Sequence, residues 1–345
     1  MRIFSYRNKR RAKQLLIVLG VIAAIFAIFC VIRFIYLQRF LVYSGGSVTL
    51  DYNQNLTAES QTAPNWDSAD IQIITEEAIT QEKDFSEEPL QQLSGLYITT
   101  EMLLDMESVT AALAELEEQP KTIMLDLKSI YGNFYYSSGI RGAQTSSADI
   151  AAIDAMIEDF SKQSGVYLIA RVASLSDYNF ALANQSCGLP LRSGALWMDL
   201  EGCYWLDPMA ETVQEYLVAI AQELALMGFD EVVFDDFRIP DSQNIVYNSD
   251  LTREKAAAEA AAALKEQLSS DGIRVSFNSS NAGVAENSDR VYLVTDSGSE
   301  VASLVEGVQE SLDNPTAQIV FLTASRDTRF EGYGILRPLI EAREE

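Results

Sequence analysis

The sequence predicts an α/β chain: a TIM-type (β/α)8 barrel behind an N-terminal single transmembrane helix and a flexible acidic stalk. Three observations carry that expectation. From Gly95 onward, short apolar β-rich runs alternate with helical stretches, the pattern of parallel strands covered on both faces. Charged residues recur at the C-terminal ends of those runs, where a barrel of this type places its chemistry. Before them stand a basic N-terminus and an uncharged apolar run.

Residues 1–14 hold Arg2, Arg7, Lys9, Arg10, Arg11 and Lys13 and no acid, and Leu15 to Ile32 is uncharged and apolar. Eighteen helical residues span about 27 Å, and Phe34 to Leu37 extend the run toward a full bilayer crossing over 15–37. Six cations before the run and only Arg33 and Arg39 just after it place the N-terminus in the cytoplasm and the remainder outside, as an uncleaved signal-anchor. A cleaved signal peptide is the rival reading, but no clear small-x-small site follows the run. From Phe40 on, 17 Lys+Arg face 50 Asp+Glu, a formal charge of −33. Residues 44–93 are polar, acidic and without sustained periodicity, a composition that does not offset its ordering entropy. They are expected to form a stalk, with a short strand at Ile71 to Thr75 as its one ordered candidate.

Eight strand candidates follow within residues 94–345: Gly95–Thr100, Thr122–Lys128, Val166–Val172, Glu231–Phe237, Ile273–Asn278, Arg290–Asp296, Gln318–Thr323 and, weakest, Tyr333–Pro338. Between them Met102–Gln119, Ser147–Ser164, Met209–Met227, Thr252–Ser270 and Glu300–Leu312 have helical spacing or Ala/Leu/Glu-rich composition. The last helix is short, which predicts incomplete closure of the barrel. A doubly wound open sheet is the structural alternative. No strand leads into a G-x-G-x-x-G or P-loop sequence, so no nucleotide cofactor is expected.

The chain contains no histidine, which removes Ser-His-Asp triads, Cys-His pairs and His-ligated zinc and leaves catalysis to carboxylates. A net charge of −25 opposes nucleic acid as a partner, because phosphate backbones are bound by clustered Lys and Arg. The strand ends supply the candidates: Asp126 and Lys128, Arg171, Asp235, Asp236 and Arg238, Asn278, and Asp296. Strand alternation puts Asp126 and Lys128 on one face, as a pocket pair or a structural ion pair. The same rule puts Asp235 and Asp236 on opposite faces unless the strand has already ended, so one of them is expected in the pocket. A helix N-cap or an ion pair with Arg238 is the structural alternative for these two. A metal held by Asp126, Asp235 and Asp296 is a further reading, unsupported by any D-x-D-x-D-G loop. Cys187 and Cys203, in the loop after the third strand, suit either a disulfide or two separate buried thiols.

The stretches SGLYITT, TIMLDLKSIYGNFYYSS, GVYLIARVASLSD and YWLDPMAETVQEYLVAIAQELALMGFDEVVFDDFRIP together resemble the putative glycoside hydrolase domain family of unknown function, a TIM barrel similar to the alpha-amylase-like glycosidases. The resemblance covers about Gly95 to Pro240 and fades beyond. It implies that Asp126, Lys128, Arg171, Trp205, Asp207, Asp235 and Arg238 occupy the family's motif positions. This chain lacks the family's late aromatic segment, carries Asp236 in place of an aromatic residue, and has Asn278 where similar glycosidases place their general acid.

Glycoside hydrolysis needs two carboxyls flanking the scissile bond. The expectation is Asp235 as nucleophile or base, kept ionised by Arg171 and Arg238, and Asp296, or else Asp126 or Asp236, as acid. Lys128, Arg171, Trp197, Trp205, Asp207, Arg238 and Asn278 are the expected substrate-binding residues, with Trp197, Tyr204 and Trp205 stacking on sugar faces or packing in their loop. Trp197–Asp199 and Trp205–Asp207 would form a lid or pack on the barrel. The expected partner is a cell-wall or other extracellular polysaccharide, hydrolysed or, in a degenerate barrel, only bound.

Overall fold

The computed structural model describes residues 41–44, 47–50, 89–247 and 249–340. The apolar run Leu15–Ile32, the basic N-terminus and the candidate strand Ile71–Thr75 lie outside them. Among the described residues no helix is long and apolar enough to cross a membrane.

Leu41–Ser44 (β1) pairs antiparallel with Ser47–Leu50 (β2). The latter falls in the segment expected to be an unstructured stalk. The local signal is a Gly-Gly pair between two short β-prone runs, a hairpin pattern.

The barrel strands are Ser94–Ile98 (β3), Thr122–Lys128 (β4), Tyr167–Ala173 (β7), Glu231–Asp235 (β8), Arg274–Asn278 (β9), Val291–Val294 (β10), Ile319–Leu322 (β11) and Gly334–Pro338 (β12). The two-residue strands Asn133–Phe134 (β5) and Gln144–Thr145 (β6) extend β4 outward. Each barrel strand pairs in parallel with the next, and Ile335–Pro338 pairs with Ser94–Tyr97, so the eight strands form a closed barrel. The expected gap at the closure is absent. Strand pairing closes the ring through backbone hydrogen bonds, which do not depend on the length of the neighbouring helix.

Alternation sorts each strand's side chains. Leu93, Met124, Ile169, Val233, Tyr292, Val320 and Leu336 fill the barrel interior. Ile123, Leu125, Leu168, Ala170, Val232, Phe234, Val275 and Phe277 face outward onto helices Ile150–Ser161 (α2), Glu211–Leu226 (α4) and Arg253–Gln267 (α5). The last of these presents Ala256, Ala257, Ala260, Ala261 and Leu264, small residues at helical spacing that allow close approach to the sheet. A separate cluster packs Val301–Val308 (α7) on Val291, Leu293, Ile319 and Phe321.

Helix starts are set by side-chain caps. The predicted helix Met102–Gln119 is split because Asp105 leaves helical geometry and accepts a hydrogen bond from the Ser108 amide, so that Met106–Ala114 (α1) begins there. Asp149 and Thr252 likewise cap α2 and α5, in the usual N-cap manner. Three short helices, Tyr178–Ala183 (α3), Ala282–Glu286 (α6) and Pro315–Gln318 (α8), escaped the periodicity because each spans under two turns.

The barrel floor is polar. Glu231 pairs with Arg290 at 2.5 Å and accepts hydrogen bonds from the Tyr167 and Tyr292 hydroxyls at 2.8 and 2.9 Å. Both charged side chains are buried. Burial and then Glu231 push both phenols well up from their ordinary range.

Candidate active site

At the opposite, C-terminal end the inward positions become polar. The parity that buries Met124, Ile169 and Val233 carries Asp126, Arg171 and Asp235 into the mouth, one layer above. Asp126 and Arg171 stand directly across from one another on β4 and β7. The guanidinium grips the carboxylate with both ends, Nε to Oδ1 at 2.6 Å and Nη2 to Oδ2 at 2.5 Å. Its third nitrogen lies 3.7 Å from Asp235 Oδ2. Asn278, inward on β9, donates to Asp235 Oδ1 at 2.5 Å. Arg171 therefore sits between two carboxylates; burial works against its charge, and the charges of Asp126 and Asp235 outweigh burial and push its pKa up. Burial pushes the Asp126 carboxyl up, and Arg171 offsets that only in part.

These groups open into a cleft of about 390 Å³ lined by Thr100, Glu101, Asp126, Tyr131, Asn133, Tyr135, Arg171 and Asp235, among others. Asp235 is the reachable member of the triad: its side chain is 25% exposed, against 8% for Asp126 and 16% for Arg171.

A bulge between Asp126 and Lys128 breaks the alternation expected to put them on one face: Asp126 stands across from Arg171 and Lys128 across from Val172, and the two do not pair with each other. The Lys128 ammonium turns into the wall, 2.7 Å from Asp177 and 2.6 Å from the Ala173 carbonyl oxygen, with both charged side chains wholly buried. Tyr216 donates to the same Asp177 at 3.0 Å. Lys128 lines the cleft, and its ammonium is held in the wall by these partners.

Asp236 departs from the strand. Its φ of 54° is the only positive value at a non-glycine among the described residues, and its carboxyl accepts from the Ser176 hydroxyl at 2.6 Å, away from the cleft. Only Asp235 of the pair lines the cleft. Arg238 does not reach Asp235; it stacks 5.0 Å from the Trp205 ring and acts electrostatically on Asp236. Burial, and then the charge of Asp235, pushes the Asp236 carboxyl up. A carboxyl with a raised folded-state pKa holds its proton more tightly than the unfolded chain does. Its contribution to stability is complete below the unfolded value of 3.8 and is lost as pH rises through the folded value. Asp236→Asn cannot ionise and tolerates positive φ. It is expected to raise the melting temperature at pH 7, with the gain vanishing in melts taken below the ordinary aspartate range.

The expected aromatic platform is elsewhere. Trp205 is buried and donates to Asp199 Oδ2 at 2.7 Å, Trp197 packs against the helix-facing core, and Tyr204 stacks on Tyr178 at 5.1 Å. Asp199 also accepts from the amides of Glu201 and Cys203, closing a tight turn. Asp207 accepts from the Met209 amide at the entry to α4 and from the Tyr247 hydroxyl. None of these residues lines the cleft, because the loop after β7 folds on its own small bridges, Met198 with Tyr204 and Gly188 with Leu206. It packs on the barrel and forms no lid over the cleft. Asp296 stands beyond β10, outside the cleft lining, and its Oδ1 accepts from the Thr323 hydroxyl and the Ala324 amide at 2.9 and 2.7 Å. Cys187 and Cys203 are separate buried thiols; burial pushes Cys203 up to about 12. Among the described residues no group of three or more carboxylates or cysteines is gathered as a metal site.

The aromatic wall comes instead from Tyr131 and Tyr135, in the loop after β4; Tyr97, inward on β3, lies within electrostatic reach of Arg171, Asp296 and Asp126. The sequence offered a signal for them: the run Ser129-Ile-Tyr-Gly-Asn-Phe-Tyr directly follows a barrel strand, the position of an active-site loop. This loop is latched from outside by Glu223 of α4, which accepts from the Tyr136 and Ser138 hydroxyls at 2.8 and 2.7 Å and from the Gly139 amide. Glu223→Ala is expected to cost about 2 kcal/mol in denaturant unfolding, since it strands a buried phenol, and to speed tryptic cleavage at the exposed Arg141.

Residues 95–292 match the family described as "Putative glycosyl hydrolase domain". The chain belongs to that family. No curated protein matches the chain. Among solved structures, a hypothetical protein from Ruminiclostridium thermocellum is 24% identical over 53% of this chain and 96% of that one, with a TM-score of 0.46. Ega3 of Aspergillus fumigatus, solved with galactosamine, is 13% identical over 68% and 79%, with a TM-score of 0.44. The glycoside hydrolase domain of PelA from Pseudomonas aeruginosa is 15% identical over 72% and 95%, also with a TM-score of 0.44. The stretch that matches the glycosyl hydrolase family runs from β3 into β10 and includes Asp126, Arg171, Asp235 and Asn278.

Proposed function

We propose that this protein is a membrane-anchored glycoside hydrolase that works outside the cytoplasm on a surface or extracellular polysaccharide by a carboxylate mechanism, with Asp235 as nucleophile or base. The observation that carries the reading is the placement of Asp235. It is the more reachable of the two carboxylates beside Arg171, held by Asn278 at one oxygen and facing Arg171 with the other. Location outside the cytoplasm rests on the six N-terminal cations before Leu15–Ile32 and the positive-inside rule.

Cleft electrostatics bear on the substrate. Arg171 is bound to Asp126 and Lys128 to Asp177, so the charge left facing a ligand is that of Asp235 and Glu101. Neutral or amino-sugar polymers suit such a cleft, and polyanionic glycans are repelled. Asn278 at the end of the fifth barrel strand favours a second reading, a barrel that binds glycan without turnover.

One assay separates the two. Purified protein is incubated with peptidoglycan and a panel of neutral, amino-sugar and anionic polysaccharides, and released reducing ends and retained binding are read together. Release from a neutral or amino-sugar polymer supports the hydrolase, whereas binding without release establishes the second reading in its place.

A further inference from the structure

We propose that Glu101, on the loop after the first barrel strand, is the proton donor that works opposite Asp235; this assignment rests on the glycosidase reading above. Three carboxylates line the cleft: Glu101, Asp126 and Asp235. Asp126 is 5% exposed and gives both oxygens to Arg171, so neither is placed to hand a proton to a ligand. Asp236 is turned to Ser176, and Asp296 lies outside the lining, bonded to Thr323 and Ala324. The fifth strand ends in Asn278, which carries no acidic proton. Glu101 is left as an exposed carboxyl on the cleft wall, with no side-chain hydrogen bond to another described residue.

Its backbone, by contrast, is fixed. The turn is tied by the Leu103 amide to Thr99 oxygen at 3.0 Å and the Leu104 amide to Glu101 oxygen at 3.2 Å, and Leu103 is wholly buried beneath it. Tyr135, which also lines the cleft, lies within electrostatic reach of the Glu101 carboxyl. A rigid anchor with a free carboxyl suits a group that must meet the leaving oxygen and exchange a proton in every turnover.

Glu101 follows the first barrel strand and Asp235 ends the fourth, and both line the same cleft. In the bond-breaking step the Glu101 O–H proton passes to the glycosidic oxygen, which also takes the electron pair of the broken C1–O bond. C1 receives a new electron pair from an Asp235 oxygen, or from a water whose proton goes to Asp235. In the first case Glu101, now a carboxylate, takes the proton of the water that later frees the sugar from Asp235. In the second it regains a proton from solvent.

The test pairs two substrates: the polysaccharide that the native protein degrades, and the 2,4-dinitrophenyl glycoside of its repeating unit, whose leaving group departs without protonation. Glu101→Gln is expected to lower kcat/KM on the polysaccharide by about 10²–10⁴-fold, to retain most of kcat/KM on the dinitrophenyl substrate, and to flatten the alkaline limb of the kcat/KM profile. Equal losses of kcat/KM on both substrates, or a change confined to KM, would assign Glu101 to binding and overturn the proposal. Unchanged activity overturns it outright. Failure of the native protein to degrade any polysaccharide removes the glycosidase reading and this assignment with it. Activity in the native protein without selective loss in Glu101→Gln removes Glu101 alone. Glu101→Ala, read on the same two substrates, guards against a local effect of the amide.

Discussion

Asp235→Asn is expected to lower reducing-end release by about 10³-fold or more while leaving glycan binding within a few-fold of native. Removing a nucleophile or general base takes away an interaction realised only in the transition state, so the loss falls on kcat. The substitution is nearly isosteric, and the Asn278 amide can still donate to the side-chain oxygen it now meets at 2.5 Å. Arg171 keeps its two-pronged hold on Asp126, so the mouth retains its shape. Steady-state kinetics, calorimetric titration with the cleaved polysaccharide and a thermal melt decide the matter together. Native-like kcat in the folded variant would end the assignment of Asp235. A collapse of binding with kcat intact would recast it as a substrate-holding residue.

The second large effect is on stability. Arg290→Leu removes the cation from a floor where Glu231 is fully buried and takes hydrogen bonds from Tyr167 and Tyr292. Breaking a buried pair by deleting one partner strands the other and costs about 3–5 kcal/mol, a fall in melting temperature of roughly 6–20 °C for a barrel of this size. Glu231→Leu combined with Arg290→Leu is expected to recover much of that loss, because neither charge then has to be desolvated. Arg290 Nε already lacks a hydrogen-bond partner among the described residues, so the native pair does not fully repay its own burial. Calorimetric melts of the single and double variants check this, and additive losses would contradict it.

The fold was largely legible before any coordinates. Every one of the eight barrel strands falls within or overlaps its apolar run, because strands buried on both faces read as continuous Val, Ile, Leu and Phe. The short helices were illegible, since a period of 3.6 cannot declare itself in four to six residues. At the mouth, alternation allowed one of Asp235 and Asp236 into the cleft, and Asp235 lines it. Trp205 and Asp207, which came from the resemblance, lie beyond strand ends, where loop path and not pleat sets direction. Lys128 shows the limit within a strand: a bulge after Asp126 breaks the alternation, and its partner, Asp177, comes from the loop after β7.

By itself the sequence determined the chemistry available and the layers in which it would sit. A chain without histidine is left with carboxylates, and a period-2 pattern puts polar strand ends at one end of a barrel. Tertiary structure alone decided which of those carboxylates share a cleft and which are spent on structure. Asp126 is spent on Arg171, Asp236 on Ser176 and Asp296 on Thr323, while Asp235 and Glu101 face the opening. The reason is physical: a carboxylate's role depends on the donors and the burial it meets, and here those donors come from strands and loops far apart in the chain.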